Sequence, residues 1–402
     1  MVIAGGEGTR LQPLTRERAK PAVPFGGKYR LIDFVLSNFV NSDIFAIYVL
    51  VQFKSQSMIE HIAAGWQFGG VLPDHFVSPV PAQMRAGQTW YQGTADAVLQ
   101  NLNLIENFAP DVVAVFGADH IYRFDIRQMV DFHDEMGAQV TVATMPVRRE
   151  DATEFGVLAV DEERRVTAFV EKPVEPPEIP GRPGWALASM GNYLFETGYL
   201  IEVLKAFGDR PAADLDFGHN VLPQGLDGGR TFAYDFAANR MPGEPTTLTP
   251  YWRDVGTVDA YFAANMDLCE GTPALNLYNP RWPVRSVSSP APPAKFIFDV
   301  EGRRGSATNS LISEGCLIEG ANVLGSVLGR NVRLESGAEV EECVILDGSR
   351  IGSGARLRRV ILDKNCVIPA GETIGFDLAA DRARFPTTES GLVVLPKGWR
   401  RI

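Results

Sequence analysis

The chain has 402 residues, of which 45% are hydrophobic and 22% charged, and its formal net charge is −11. That length accommodates two or three domains with ample cores, and the acidic balance argues against a general nucleic-acid or acidic-membrane binder, which needs a basic face. An anionic small substrate stays open, provided that its pocket is locally basic or holds a metal.

The chain opens on the strand VIA, short enough to point to a start further upstream, and runs into GGEGTRL. AIYVLVQF is the next strand, followed by a helix over SMIEHIAAGW. In TADAVLQNLNLIENF the apolar positions 95, 98, 99, 102 and 105 keep a helical period, with Thr94 as its N-cap. DVVAVFGAD is a continuous apolar run ending in Gly and Asp, the pattern of a parallel strand buried on both faces. VTVATMPV and VTAFVEKP are further strands. Strands alternating with helices predict an α/β unit with a Rossmann-like, mostly parallel sheet. The longest apolar runs fall far below the roughly 18 residues of a membrane span. The opening residues also lack the charged and apolar regions of a leader. A cytoplasmic enzyme is therefore expected.

Near residue 272 the texture changes. YNPRWPVRSVSSPAPPAKF is rich in Pro and Ser and reads as a linker laid over a surface. Beyond it aliphatic residues recur every six positions: Ile312, Ile318 and Leu324; Leu334 and Val340; Ile345, Ile351 and Leu357. Small residues, often Gly, lie between them. This period marks a left-handed parallel β-helix of hexapeptide repeats, whereas a β-sandwich would alternate with period two. The expected organisation is a catalytic α/β domain over 1–272, a linker over 273–295 and the β-helix over 296–402. Hexapeptide repeats also occur in acyltransferases, whose activity usually relies on a His between coils. The tail has no His, so it reads as scaffold and oligomerisation surface. Cys269, Cys316, Cys343 and Cys366 form no CxxC pair, so reduced, mostly buried thiols are expected.

The glycine loop decides the chemistry. A P-loop requires G-x-x-x-x-G-K-[ST], and no such string occurs. A dinucleotide fingerprint requires a third glycine where Leu11 stands, and a leucine there obstructs tight helix–strand packing. What remains is a glycine loop carrying a fixed cation, Arg10, with a second, Lys20, nearby. A guanidinium binds phosphate bidentately and an ammonium acts as a point charge, which suits a triphosphate whose pyrophosphate departs.

This loop resembles the signature of the sugar-nucleotide pyrophosphorylases. The resemblance extends through nearly the whole chain: RAKPAVPFGGKYRLIDFVLSN, WYQGTADAV, FGADHIY, FGV, FVEKP, ASMGNYLF, DFG and YWRDVGT follow in the order found in bacterial ADP-glucose pyrophosphorylases. The resemblance implies the reaction of ATP with glucose 1-phosphate to ADP-glucose and pyrophosphate, for glycogen or similar α-glucan synthesis. It also implies Mg²⁺ as cofactor, since two anions must meet on an acidic protein. No enzyme nucleophile is needed, and catalysis is positioning plus charge neutralisation.

The family's roles carry over residue by residue. Asp119 and Asp254 match its metal-binding aspartates. Gly5, Gly6, Gly8, Thr9, Arg10 and Lys20 match the triphosphate loop. Gln52, Trp90, Gly93 and Thr94 match the adenine end, and Gln offers the donor and acceptor that a base edge requires. Lys172 matches the residue that grips the sugar phosphate. Tyr91, Gly156, Glu171, Ser189 and Asp216 match sugar-site positions. His120 beside Asp119 has no partner pattern and reads as structural.

The family is typically a homotetramer regulated by sugar-phosphate or adenylate effectors that bind between the N-terminal region and the β-helix. Candidate effector residues are Arg18, Lys28 and Arg30, with Arg16 beside them, and Arg356, Arg358 and Arg359 in the tail. Glu17 and Pro24 depart from the basic activator pattern, so weak activation by fructose 1,6-bisphosphate is expected. A non-catalytic regulatory subunit of the same fold is the competing reading, and another base or sugar is a second. Retention of Arg10, Lys20, Asp119, Lys172 and Asp254 favours catalysis.

Overall fold

The computed structural model describes residues 1–70, 72–83, 90–208, 215–226, 228–245, 247–299 and 302–401. Its first half is built on a mixed sheet, with nine strands among the described residues. Strand Val2–Ala4 lies at the centre, parallel to Ala46–Val51 on one side and to Val112–Gly117 on the other. Phe76–Pro81 continues the parallel half. The three inner strands are apolar along their length, as expected of buried parallel strands, whereas the edge strand Phe76–Pro81 carries Ser78 and two prolines and is only partly buried. Helix Leu31–Asn41 lies in the same core as Val2–Ala4, with Ile32, Val35, Leu36 and Phe39 all buried.

The other half of the sheet turns on a strand that the residue pattern did not reveal. Trp185–Glu196 runs antiparallel to Val112–Gly117, to Val140–Arg148 and to Gly156–Val160. A doubly buried antiparallel strand has the same apolar texture as a parallel one, so direction is not written in its residues. The expected helix over 94–108 is also two helices, Thr94–Leu99 and Leu102–Phe108. Its N-cap is Gly93 rather than Thr94.

The tail forms three parallel sheets of five strands each among the described residues, stacked as the faces of a β-helix. Ile318 aligns with Leu334, Leu334 with Ile351 and Ile351 with Ile368, so a coil takes 16 or 17 residues. The inward residues are therefore spaced by five or six, not always six. Counting strictly by six selects Leu324, which is 43% exposed, whereas its neighbour Val323 is fully buried. One corner stacks Gly315, Asn331, Gly348 and Asn365, all at positive φ. Glycine and asparagine tolerate this left-handed geometry best, so the corner selects them. Cys316, Cys343 and Cys366 are buried in this half, Cys269 in the first, and all four are free thiols. Burial pushes their thiols up to about 11 or about 12.

The two halves share a hydrophobic cluster. Leu11, Leu14, Phe25, Tyr261 and Phe262 from the first half pack with Val344, Leu346, Ile361 and Val394 from the β-helix. Beside it Arg18 bridges to Asp363 at 3.0 Å, with side chains only 7% and 2% exposed. Among the described residues no helix is long and apolar enough to cross a membrane.

Candidate active site

Strand Val2–Ala4 ends in the glycine loop, and its neighbour Val112–Gly117 ends beside it, leading into Asp119. Ligands of open α/β sheets bind at such carboxyl ends. Gly8 is held at φ 64°, and a Cβ there would meet Lys20 Cβ at 2.8 Å and Thr15 Cγ2 at 3.0 Å. The glycine is what lets the Lys20 segment approach the loop. The Thr15 hydroxyl donates to the Gly8 carbonyl at 2.7 Å and fixes this approach. Gly6 faces open space, leaving the loop backbone clear for a ligand.

A two-stranded antiparallel ribbon brings the two aspartates together. His120–Tyr122 pairs with Trp252–Asp254 in a register that sets Asp254 opposite His120. Lys20 Nζ then lies 2.8 Å from Asp119 Oδ2 and 3.5 Å from Asp254 Oδ1. His120 Nε2 stands 3.7 Å from a carboxylate oxygen of each aspartate. Burial alone would raise the Asp119 carboxyl, but His120 and Lys20 outweigh it and hold the group well below the usual carboxylate range. Arg10 reaches the same place, since a Cβ at Gly256 would lie 2.9 Å from Asp254 Oδ2 and 3.3 Å from Arg10 Nη2.

These residues open into a cleft of about 300 Å³, bounded at its far end by Thr94, Tyr193 and Asp216. The Thr94 hydroxyl donates to Asp216 at 2.6 Å and accepts from the Phe217 N–H at 3.2 Å. Gly93 carries this turn at φ 138°, where a Cβ would strike the Leu215 carbonyl at 2.2 Å. The hairpin Gly156–Val160 and Val166–Glu171 sets Gly156 opposite Glu171. Its Phe169 ring abuts Gly156 and Gly218, which ties the hairpin to the Asp216 turn. Lys172 follows at φ 46°, a left-handed geometry rare for lysine and doubly disfavoured before proline. Ser189 accepts from the Gly191 N–H at 3.3 Å, in the irregular stretch of strand Trp185–Glu196.

Two expectations need correction. The Gln52 amide is engaged by a peptide: its oxygen accepts from the Tyr91 N–H at 2.6 Å, and its nitrogen donates to the Tyr91 carbonyl at 3.3 Å. Gln52 thus orients the segment behind Trp90 instead of presenting both groups to a base. The Tyr91 side chain is buried in the core, where its hydroxyl accepts from Asn101 at 2.9 Å. The ring is thus packed inside the protein and is not among the residues lining the cleft. Trp90, by contrast, is 48% exposed and available for stacking.

The residue pattern leaves Tyr193 unnoticed and reads His120 as structural, yet both line the cleft. Tyr193 gives no local signal, because Asn192, Tyr193, Leu194 and Phe195 are all buried. His120 gives none either, because its meeting with Asp254 depends on the ribbon register.

The donors fit a hard divalent cation. Two carboxylates from separate segments already share one positive charge, and Mg²⁺ commonly takes one or two protein carboxylates with phosphate and water completing its shell. Among the described residues no cluster of three or more His, Cys, Asp or Glu could hold a metal without such help.

The effector candidates divide. Lys28 and Arg30 line a cavity of about 190 Å³ at the junction of the halves, with Arg330 and Lys364. Arg18 is committed to Asp363 in the buried pair described above. Arg356 pairs with Glu339 at 2.8 Å, and both Arg356 and Arg358 stack on Phe376, away from the cavity lining. Outward residues of a β-helix follow its faces, and these arginines lie on a different face from the cavity. Glu17 is engaged by Lys397 at 2.7 Å.

Comparison with known proteins adds the family. Residues 1–271 match the nucleotidyl transferase family and residues 292–395 match the GlmU-like C-terminal hexapeptide family. The chain is 52% identical to a glucose-1-phosphate adenylyltransferase of Deinococcus radiodurans, over 99% of this chain and 98% of that protein. It is 53% identical to one of Thermus thermophilus, over 100% and 98%. It is 48% identical to glucose-1-phosphate adenylyltransferase 1 of Vibrio parahaemolyticus, again over 100% and 98%.

Proposed function

The chain belongs to the nucleotidyl transferase family, in its glucose-1-phosphate adenylyltransferase branch, and from that premise we propose how its cleft makes ADP-glucose from ATP and glucose 1-phosphate. The observation that carries the reading is the meeting of Asp119, Asp254, Lys20 and Arg10 beside the glycine loop at the carboxyl end of the central strands.

The loop from Gly5 to Thr9 lays its backbone along the triphosphate, with Arg10 over the pyrophosphate that leaves. Trp90 offers a ring face to adenine, and Gly93 and Thr94 close the wall behind it. Lys172 holds the phosphate of glucose 1-phosphate, and its enforced backbone geometry aims the ammonium. Glu171, Ser189 and Asp216 accept or donate to sugar hydroxyls, with Gly156 leaving room for the ring. A phosphate oxygen of the sugar phosphate attacks the α-phosphorus in line and pyrophosphate departs, so no covalent enzyme intermediate forms. Mg²⁺, held by Asp119 and Asp254, supplies charge neutralisation on the phosphates when bound. We assign catalysis to 1–272 and assembly to 296–402, joined by 273–295, in a cytoplasmic homotetramer that serves α-glucan synthesis.

The test is pyrophosphate release from purified protein with glucose 1-phosphate, Mg²⁺ and each NTP in turn. Release with ATP alone is expected. Release with UTP, dTTP or GTP instead would keep the mechanism and overturn the base assignment. Silence with all four, even with sugar-phosphate effectors present, would favour a regulatory subunit.

Effectors bind, in this reading, at the junction cavity through Lys28 and Arg30, joined by Arg330 and Lys364. Glu17, which departs from the basic activator pattern, spends its carboxylate on Lys397 and supplies no cation for a bisphosphate. Fructose 1,6-bisphosphate should therefore raise the rate by less than about tenfold, a coupling of about 1.4 kcal/mol. A larger activation in the same pyrophosphate assay would show that this departure does not matter.

A further inference from the structure

Resting on the metal reading above, we infer that Lys20 is a resident counter-ion that holds the place of the divalent cation and leaves it when the cation arrives. Its ammonium lies 2.8 Å from Asp119 and 3.5 Å from Asp254. The lysine side chain is only 9% exposed, whereas the two carboxylates are 40% and 32% exposed. The ammonium is thus the most enclosed of the three charged groups, although the lysine lines the cleft beside Asp119. A lysine sent to bind an incoming triphosphate would be expected to face the cleft with its head free. Here the Asp pair engages it first.

Charge gives the reason. Without Lys20 the two carboxylates would keep only His120 between them and Arg10 near Asp254, and like charges at this separation repel. The ammonium neutralises one of the two. A divalent cation neutralises both, and the ammonium then has no net charge to attract it there. It also cannot stay within contact of a dication without repulsion. Released, it has the glycine loop as its neighbour, because Gly8 packs directly on Lys20 Cβ. The loop is where the triphosphate lies in the reading above. Arrival of the cation therefore delivers an ammonium to the phosphates, and the free protein holds the cation weakly until a nucleotide takes Lys20 away. Cation and triphosphate then bind with mutual reinforcement through this chain's own lysine.

The experiment titrates Mn²⁺ into the full-length protein without nucleotide and follows binding by electron paramagnetic resonance. Lys20→Gln keeps an amide donor for Asp119 and removes the charge. Lys20→Met removes both, and circular dichroism checks that each variant is folded. Both variants are expected to bind Mn²⁺ about tenfold more tightly than the unaltered protein, while ADP-glucose formation falls. Asp119→Asn combined with Lys20→Gln should abolish the tight site. Equal or weaker Mn²⁺ binding in Lys20→Gln, with loss of binding on Asp119→Asn, overturns the counter-ion inference and leaves the metal reading standing. Mn²⁺ binding indifferent to both Asp119→Asn and Asp254→Asn overturns the metal reading and the inference with it. If Lys20→Met fails to fold, Lys20→Gln alone decides.

Discussion

Asp119→Asn should lower the turnover for ADP-glucose formation by about 10³-fold, the scale reached when one preorganised electrostatic group at a reacting centre is lost. Asparagine matches aspartate in shape, so the ribbon and the Lys20 contact keep their packing. What disappears is one of the two negative charges that a divalent cation needs. The loss should appear in turnover at saturating substrate and persist at saturating Mg²⁺. The unfolding midpoint should fall modestly, because the fold favours the charged carboxylate, an effect softened by water at a side chain that is 40% exposed. The measurement is pyrophosphate release beside a thermal scan of both proteins. Undiminished turnover would remove Asp119 from the metal site.

Arg18→Met should destabilise the protein by about 3–5 kcal/mol, the cost of leaving a buried charge without its partner. Asp363 is 1% exposed and Arg18 6%. Arg18 also donates to the Leu14 carbonyl at 2.9 Å, and Asp363 accepts from the Lys364 N–H at 2.7 Å. Removing the guanidinium leaves the carboxylate with too few donors in a site that water barely reaches. Urea unfolding should show an earlier midpoint. Arg18→Met combined with Asp363→Leu should be less damaging than the sum of the single changes, because neither charge is then stranded. If Arg18 were instead an effector ligand, Arg18→Met would alter activation and leave the unfolding midpoint in place.

The contrast between these two residues shows what the amino-acid sequence discloses. Asp119 is legible because its position is local: a carboxylate at the end of an apolar strand, beside a loop whose Gly8 admits no side chain. The glycine loop, the strand ending in Asp119 and the shift to hexapeptide texture all follow from residue type and spacing. Arg18 reads equally well as an exposed phosphate ligand, and only the tail packed against it shows that its charge is spent on Asp363. Gln52 is similar, since nothing near it in the chain announces the Tyr91 peptide it holds. Leu324 fails for a geometric reason: coils alternate spacings of five and six, and a single period drifts out of phase within a few turns. The antiparallel strand Trp185–Glu196 stayed hidden because burial on both faces erases the trace of direction. Long-range pairing, not local chemistry, is what the residues withhold.

The cluster shared by the two halves has a consequence for how such a chain can change over evolutionary time. Leu11 and Leu14 stand immediately after the loop that carries Arg10, and they rest on Val344, Leu346 and Ile361 of the tail. The floor beneath the glycine loop is thus laid partly by residues more than three hundred positions downstream. A tail borrowed from a relative would bring a different floor, and the loop above it would settle at a different height. Exchange of the two halves as independent cassettes is therefore disfavoured. Heritable change in the tail must be matched, side chain for side chain, in the first few turns of the head.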